Sequence, residues 1–149
     1  MAEKKMLKVR ELVVSYGKNF IEVEENIMKS PANIANMFYP ICDLLPDEHE
    51  FVLMVNAKNM VLGYEDISHG NLTSCLAHPR NVFRTAIIKN AAAIFFVHNH
   101  PSGDPTPSPD DEALSNRLVQ AGDIIGIRFL DSIVIGQGRY VSLKERGII

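Results

Sequence analysis

Every residue from Phe51 to Val55 is apolar, and the polar quartet Asn56-Ala57-Lys58-Asn59 follows at once. An apolar run this short is too brief for a helix and fits a strand buried on both faces. The quartet reads as a hairpin turn, with Met60–Ser68 as the returning strand. Two more apolar runs, Ala93–His100 and Ile127–Ile135, predict further strands. After the second, Gly136-Gln137-Gly138 marks a tight turn into a last strand at Arg139–Leu143. Residues 7–15 mix alternation with a β-branched end and predict one more strand. Residues 16–29 are charged and ambiguous, and Glu22, Glu24 and Glu25 read as a charged surface run.

Helical spacing lies between these runs. Ser30-Pro31 supplies an N-cap and a first-turn proline, and Ile34, Met37, Phe38 and Ile41 follow at helical period. That helix should stop before Pro46. Pro79 opens a second helix with Val82, Phe83, Ala86, Ile87 and Ala91 as its stripe. Ser108 starts a third, with Ala113, Leu114, Leu118 and Val119 inward and Gly122 ending its last turn. Strands and helices alternate with hairpins between them. The expected class is α/β of the mixed kind: a single mixed sheet flanked by helices. At 149 residues one domain is expected, with 1–46 a strand-and-helix extension and 47–149 the core.

Composition adds boundaries. The chain is 46% hydrophobic and 22% charged, an ordinary balance for a globular protein. No apolar run approaches the length of a membrane span. The opening Met1-Ala2-Glu3-Lys4-Lys5-Met6 lacks the apolar region of a signal peptide, so a cytoplasmic protein is expected. Cys42 and Cys75 lie far apart without CxxC spacing and read as reduced, inert core thiols. The net charge is −3 and the basic residues are scattered. A non-specific nucleic-acid binder needs a basic surface, and this composition does not support one.

The chemistry concentrates at His98-Asn99-His100. On a strand, side chains at i and i+2 share a face, so both imidazoles aim the same way. A loop, 101–107, with three prolines and a glycine then leads to Ser108-Pro109-Asp110-Asp111. Two histidines and one carboxylate can fill three positions of a tetrahedral zinc and leave the fourth to water. Ser108–Asp111 reads equally as a helix N-terminus, with Ser108 as N-cap and acids in the first turn. The two readings are compatible, because a capped turn would also hold Asp111 still. Ser108 could cap and still offer its hydroxyl to the site. A zinc-bound water needs a base, and Glu48 and Glu50 stand where the Phe51–Val55 strand begins. Spacing alone does not choose between them. HExxH, the deaminase HxE with PCxxC, GxSxG, the P-loop and the dinucleotide glycine fingerprint do not occur in the string.

HxH, seven residues, then Ser-x-x-Asp, with a Glu on an earlier strand, resembles the JAMM motif of the JAB/MPN metalloproteases. The segments HNHPSGDPTPS, HPRNVFRTAIIKNAAAI and SLKERGI resemble the bacterial RadC-like branch, from about Glu48 to the C-terminus. The resemblance implies a mixed sheet packed by helices, similar to the cytidine deaminase-like fold. It implies zinc bound by His98, His100 and Asp111. Ser108 would serve the oxyanion, and Glu48 would be the general acid/base, with Glu50 second. Three positions depart from the branch: Asn56 where Asp is usual, Asn71 where Thr is usual, and Ser132 where His is common. The expected function is a zinc-dependent hydrolase of the peptidase or isopeptidase type, acting on peptide or isopeptide-linked protein. The alternatives are a metal-binding accessory module with little turnover, or a DNA-repair-associated factor. The last is suggested only by family association.

Overall fold

The computed structural model describes residues 9–68 and 77–149. Cys75 and Asn71 lie outside these residues. The elements run in the order α1 (Pro31–Cys42), β1 (Glu50–Val55), β2 (Val61–Asp66), α2 (Pro79–Ile88), β3 (Ala93–Asn99), α3 (Pro109–Ile125), β4 (Arg128–Ile135) and β5 (Tyr140–Ser142). The strands form one mixed sheet in the order β2-β1-β3-β4-β5. β3 and β4 pair in parallel, joined through α3, and the other neighbours are antiparallel. This is the α/β sheet flanked by helices that the pattern predicts. Among the described residues, no helix is long and apolar enough to cross a membrane.

Strand parity sorts the core into two layers. Phe51, Leu53 and Val55 of β1 join Phe95, Val97, Ile133 and Ile135 beneath Ile34, Met37 and Phe38 of α1. Val52, Met54, Ile94 and Phe96 face the other way, against Val82, Phe83 and Ala86 of α2 and Leu114 and Leu118 of α3. Helix α1 thus covers one face of the same sheet whose other face carries α2 and α3. β1 and β3 are buried along their whole length, as unbroken apolar runs require.

Four expectations need correction. Residues 9–15, the described part of the expected first strand, form no strand, and Val9, Leu12 and Val13 are exposed. A strand needs a ladder partner, and alternation does not provide one. The outer edge beside β2 is met instead by Asn26–Met28. There Val61 N–H donates to Asn26 O, Met28 N–H donates to Asn59 O, and Ile27 bridges Met60. Ile87 of the expected α2 stripe is half exposed. On α3 the inward face is Asp111, Leu114, Ser115, Leu118 and Gly122, so Ala113 points outward and Val119 is only half-buried. Finally, Gly122 does not end α3. The helix runs on to Ile125 and is capped by Gly126 in the left-handed region (φ 82). A Cβ on Gly122 would stand 2.5 Å from the Ile127 carbonyl, so this glycine serves the close approach of the returning chain.

The turn after β4 is fitted to the loop after β3. Gln137 N–H and the Arg139 guanidinium both donate to Gly103 O, and His100 N–H donates to Ile135 O. A Cβ on Gly136 would meet Gly103 O at 2.3 Å and Pro105 Cδ at 2.8 Å. Gly136→Ala is therefore expected to push the 101–105 loop outward and destabilise the fold by about 1–3 kcal/mol, as overpacking does. Gly17→Ala, where a Cβ meets nothing within 4 Å, serves as the control in denaturant titrations. Equal stability of the two variants would refute the close fit.

Candidate metal centre

β3 ends in the centre of the sheet, and its last turn outward delivers both imidazoles. His98 is 2% exposed and His100 lies at the rim. The prolines of 101–107 carry the chain to Ser108, which caps α3. The capping box is reciprocal: Asp111 N–H donates to Ser108 Oγ at 3.1 Å, and Ser108 N–H donates to Asp111 Oδ2 at 2.7 Å. The cap thus does hold Asp111 still, as its dual reading requires. Asp111 Oδ1 stands 3.3 Å from His98 Nε2, and Oδ2 stands 3.4 Å from His100 Nε2. Both distances are at the long end for a charged contact. His98 Nε2 is buried with no hydrogen-bond partner at all. A carboxylate set between two imidazole nitrogens, one of them buried without a hydrogen-bond partner, suits a shared cation.

Glu48 completes the group. One ligand atom from each of Glu48, His98, His100 and Asp111 lies within 4.8 Å of the others. Glu48 is exposed, so solvent reaches the group from its side. Glu50 pairs with His98 across β1 and β3 but lies deeper, and Oε1 accepts from Ala77 N–H at 3.3 Å. The choice that spacing leaves open is thus resolved in position: Glu48 is in the group and Glu50 is beneath it.

Asn99, between the two histidines, has a part the sequence reading missed. Parity turns it to the opposite face, where it is buried. Its Oδ1 accepts from His49 N–H at 2.7 Å, its Nδ2 donates to Asp47 O at 3.0 Å, and its backbone N–H donates to His49 O at 3.3 Å. These three bonds grip the backbone on both sides of Glu48. The available signal was the buried amide itself, since an Asn at the end of a core strand needs partners.

Residues 28–148 match the family model described as the RadC-like JAB domain. The chain belongs to this family. Among curated relatives of this RadC-like JAB domain is the UPF0758 protein of Caldanaerobacter subterraneus subsp. tengcongensis. It is 44% identical over 138 residues, covering 93% of this chain and 57% of the relative. The UPF0758 protein of Clostridium novyi is 43% identical over 145 residues, 97% of this chain and 63% of its own length. That of Symbiobacterium thermophilum is 48% identical over 120 residues, 80% of this chain and 51% of its own. The chain spans little more than half the length of these relatives, and their names state no activity.

Electrostatics in the RadC-like JAB domain follow the crowding of charge. Burial opposes ionisation of Asp111, but contact with His100 and His98 outweighs it and holds the carboxyl far below the usual range. The same carboxylate raises the His100 pKa against the opposing effect of burial. Burial pushes Glu50 up to about 7, opposed by the Ala77 N–H and reinforced by Glu48 and Asp111. His100 Nδ1 lies 2.9 Å from Asp104 O, an acceptor, so Nδ1 carries the ring proton and Nε2 keeps its lone pair. Two imidazoles and carboxylates, with both nitrogens of one ring buried and unpartnered, are a donor set that could hold a divalent cation. Cys42 is buried and free, with its thiol pushed up to about 12, chiefly by burial.

Proposed function

We propose that this domain is a zinc-dependent hydrolase of the peptidase or isopeptidase class. The observation that carries the reading is the position of Glu48, an exposed carboxylate within 4.8 Å of two imidazoles and an aspartate. A general base must lie within reach of the proton it takes, and this one borders the donor set on the solvent side.

His98, His100 and Asp111 would hold the ion. When bound, zinc supplies a Lewis acid that polarises an amide carbonyl and brings the pKa of water to about 7. Glu48 takes a proton from the attacking water and delivers it to the departing nitrogen, leaving a carboxylic acid and an amine. The Ser108 hydroxyl accepts from Asp111 N–H, so its own proton remains to be donated to the carbonyl oxygen as negative charge develops. A cavity of about 390 Å³, lined by Cys42, Asn99, His100, Gly103 and Gln137 among others, abuts the site behind His100. It opens on the α1 side of the sheet, and of the residues proposed to act only His100 lines it. An accessory module with little turnover requires no base at the donor set, and Glu48 weighs against it. A nucleic-acid substrate finds no support in a net charge of −3.

Zinc-loaded protein is expected to cleave members of a peptide and isopeptide-linked substrate panel, to stop when chelated, and to resume when zinc is restored. Zinc binding without cleavage of any member would leave the accessory module as the better reading. The raised pKa of His100 sets the pH dependence. Protons compete for Nε2 up to a higher pH than at an ordinary histidine. Zinc affinity should fall as pH drops through that raised value and level off above it, in chelator competition across a pH series. A flat profile through mildly acidic pH would remove His100 from the ligand set.

A further inference from the structure

Among the described residues, four buried side-chain polar atoms have no hydrogen-bond partner: both ring nitrogens of His98, Ser115 Oγ and Ser132 Oγ. All three residues are at most 2% exposed. They share one layer of the fold. Ser132 pairs with Phe96 across β3 and β4, and His98 pairs with Val134 in the same parallel register. Ser132 and His98 are thus diagonal neighbours on the face that packs against α3. Ser115 lies one helical turn beyond Asp111, on the inward stripe of α3. Asp111 already touches His98 Nε2 from that helix.

Leaving three buried polar groups unsatisfied costs about 1–3 kcal/mol each. A serine inside a helix ordinarily bonds back to the carbonyl four residues earlier, and Ser115 makes no such bond. The Ser132 hydroxyl has no share in the neighbouring polar knot either. Asp131 is filled by the Ser132 backbone N–H, Ser142 Oγ and Lys144 N–H. The two hydroxyls are left unpartnered in the layer that holds His98.

The two histidines differ in their far nitrogens. His100 Nδ1 has Asp104 O as acceptor, whereas His98 Nδ1 has none. A metal-binding imidazole almost always donates its second N–H to a carbonyl, a carboxylate or water, which fixes the tautomer and aims the ligand nitrogen. An internal water typically makes about three hydrogen bonds to such orphaned groups.

Resting on the metal reading above, we propose that Ser115 and Ser132 are positioning residues: they hold one internal water that accepts the His98 Nδ1–H. This water and its two hydroxyls do for the buried histidine what Asp104 O does for the one at the rim. The tautomer is locked, and Nε2 faces Asp111 and the cation.

The test uses the full chain with Ser115→Ala, Ser132→Ala and the double variant, and zinc as the probe. Chelator competition should show roughly 10–100-fold weaker zinc binding in the double variant, the usual loss for an outer-shell partner. Long-range ¹H–¹⁵N correlation on metal-free protein should show the Nδ1–H tautomer of His98 in wild type and a mixture in the double variant. The two single variants, each a one-atom deletion, give the same readouts if the double variant is poorly folded. Wild-type zinc affinity together with an unchanged His98 tautomer in the variants would overturn the proposal. Failure of wild type to bind zinc would instead overturn the metal reading, and the tautomer measurement would still decide the contact to Nδ1.

Discussion

Asp111→Asn should lower zinc affinity by more than about 100-fold, beyond the loss typical of an outer-shell partner, and abolish hydrolysis with it. The substitution is nearly isosteric. An Asn at this position still accepts the Ser108 N–H and keeps the cap on α3, so the helix should survive. What disappears is the charge between His98 and His100. Two neutral imidazoles would remain around the cation, with a neutral amide oxygen in place of the anionic ligand. Zinc content of purified protein, by metal analysis against wild type, reads the effect directly. Near one equivalent in both proteins would remove Asp111 from the site. Linkage gives an independent check in the metal-free state. The Asp111 carboxyl is held below its unfolded value, so its ionised form stabilises the fold at neutral pH. That contribution is lost as pH falls from the ordinary carboxylate range toward the depressed folded value. The variant lacks it, so the difference between the two proteins in denaturant midpoint should shrink on acidification.

Glu48→Gln should behave oppositely on the two axes. Zinc binding should persist, because both histidines and Asp111 are intact. Turnover should fall by about 10²–10⁴-fold, the usual contribution of a positioned general acid/base. Glutamine keeps the size of glutamate and one acceptor oxygen, but its amide cannot take a proton from water. Glu50→Gln is the informative comparison, since Glu50 lies under the site with its carboxylate toward Ala77 N–H. Its effect should be much smaller. A larger loss in Glu50→Gln than in Glu48→Gln would reverse the assignment of the base. A kcat measurement on zinc-loaded protein separates these outcomes, with zinc content determined on the same samples.

Much of the site could be read along the chain because its parts are local. HxH on a strand fixes a shared face through a period of two residues. Ser108-Pro109-Asp110-Asp111 fixes the first turn of a helix through capping. Both depend on chain geometry within a few residues: the cap is present as expected, and His98 lies in β3 with His100 just past its end, where its N–H still bonds Ile135 O. On α3 Leu114 and Leu118 face inward as their spacing predicts, whereas Ala113 and Val119 do not, because hydrophobicity alone does not fix the face. The face is chosen instead by Asp111 at the site, and by Gly122, which lets the chain return closely at Ile127. Ser115 then falls inward although its side chain is polar. Residues 9–15 failed as a strand for the opposite reason: the local pattern was adequate, but the sheet edge is met by Asn26–Met28.

The sequence by itself determined the mixed sheet, the order of strands and helices from α1 onward, and the donor types that end β3 and begin α3. Each follows from hydrophobic period, turn chemistry or capping, which act over a handful of residues. Spacing left Glu48 and Glu50 open and the family resemblance favoured Glu48; only the tertiary structure put Glu48 beside the histidines, made Asn99 the clamp on the segment carrying it, and buried Ser115 and Ser132 on the His98 face. Those facts depend on which strands become neighbours and in what register. Register is set by burying whole faces at once, a property of the assembled core that no short stretch of chain contains.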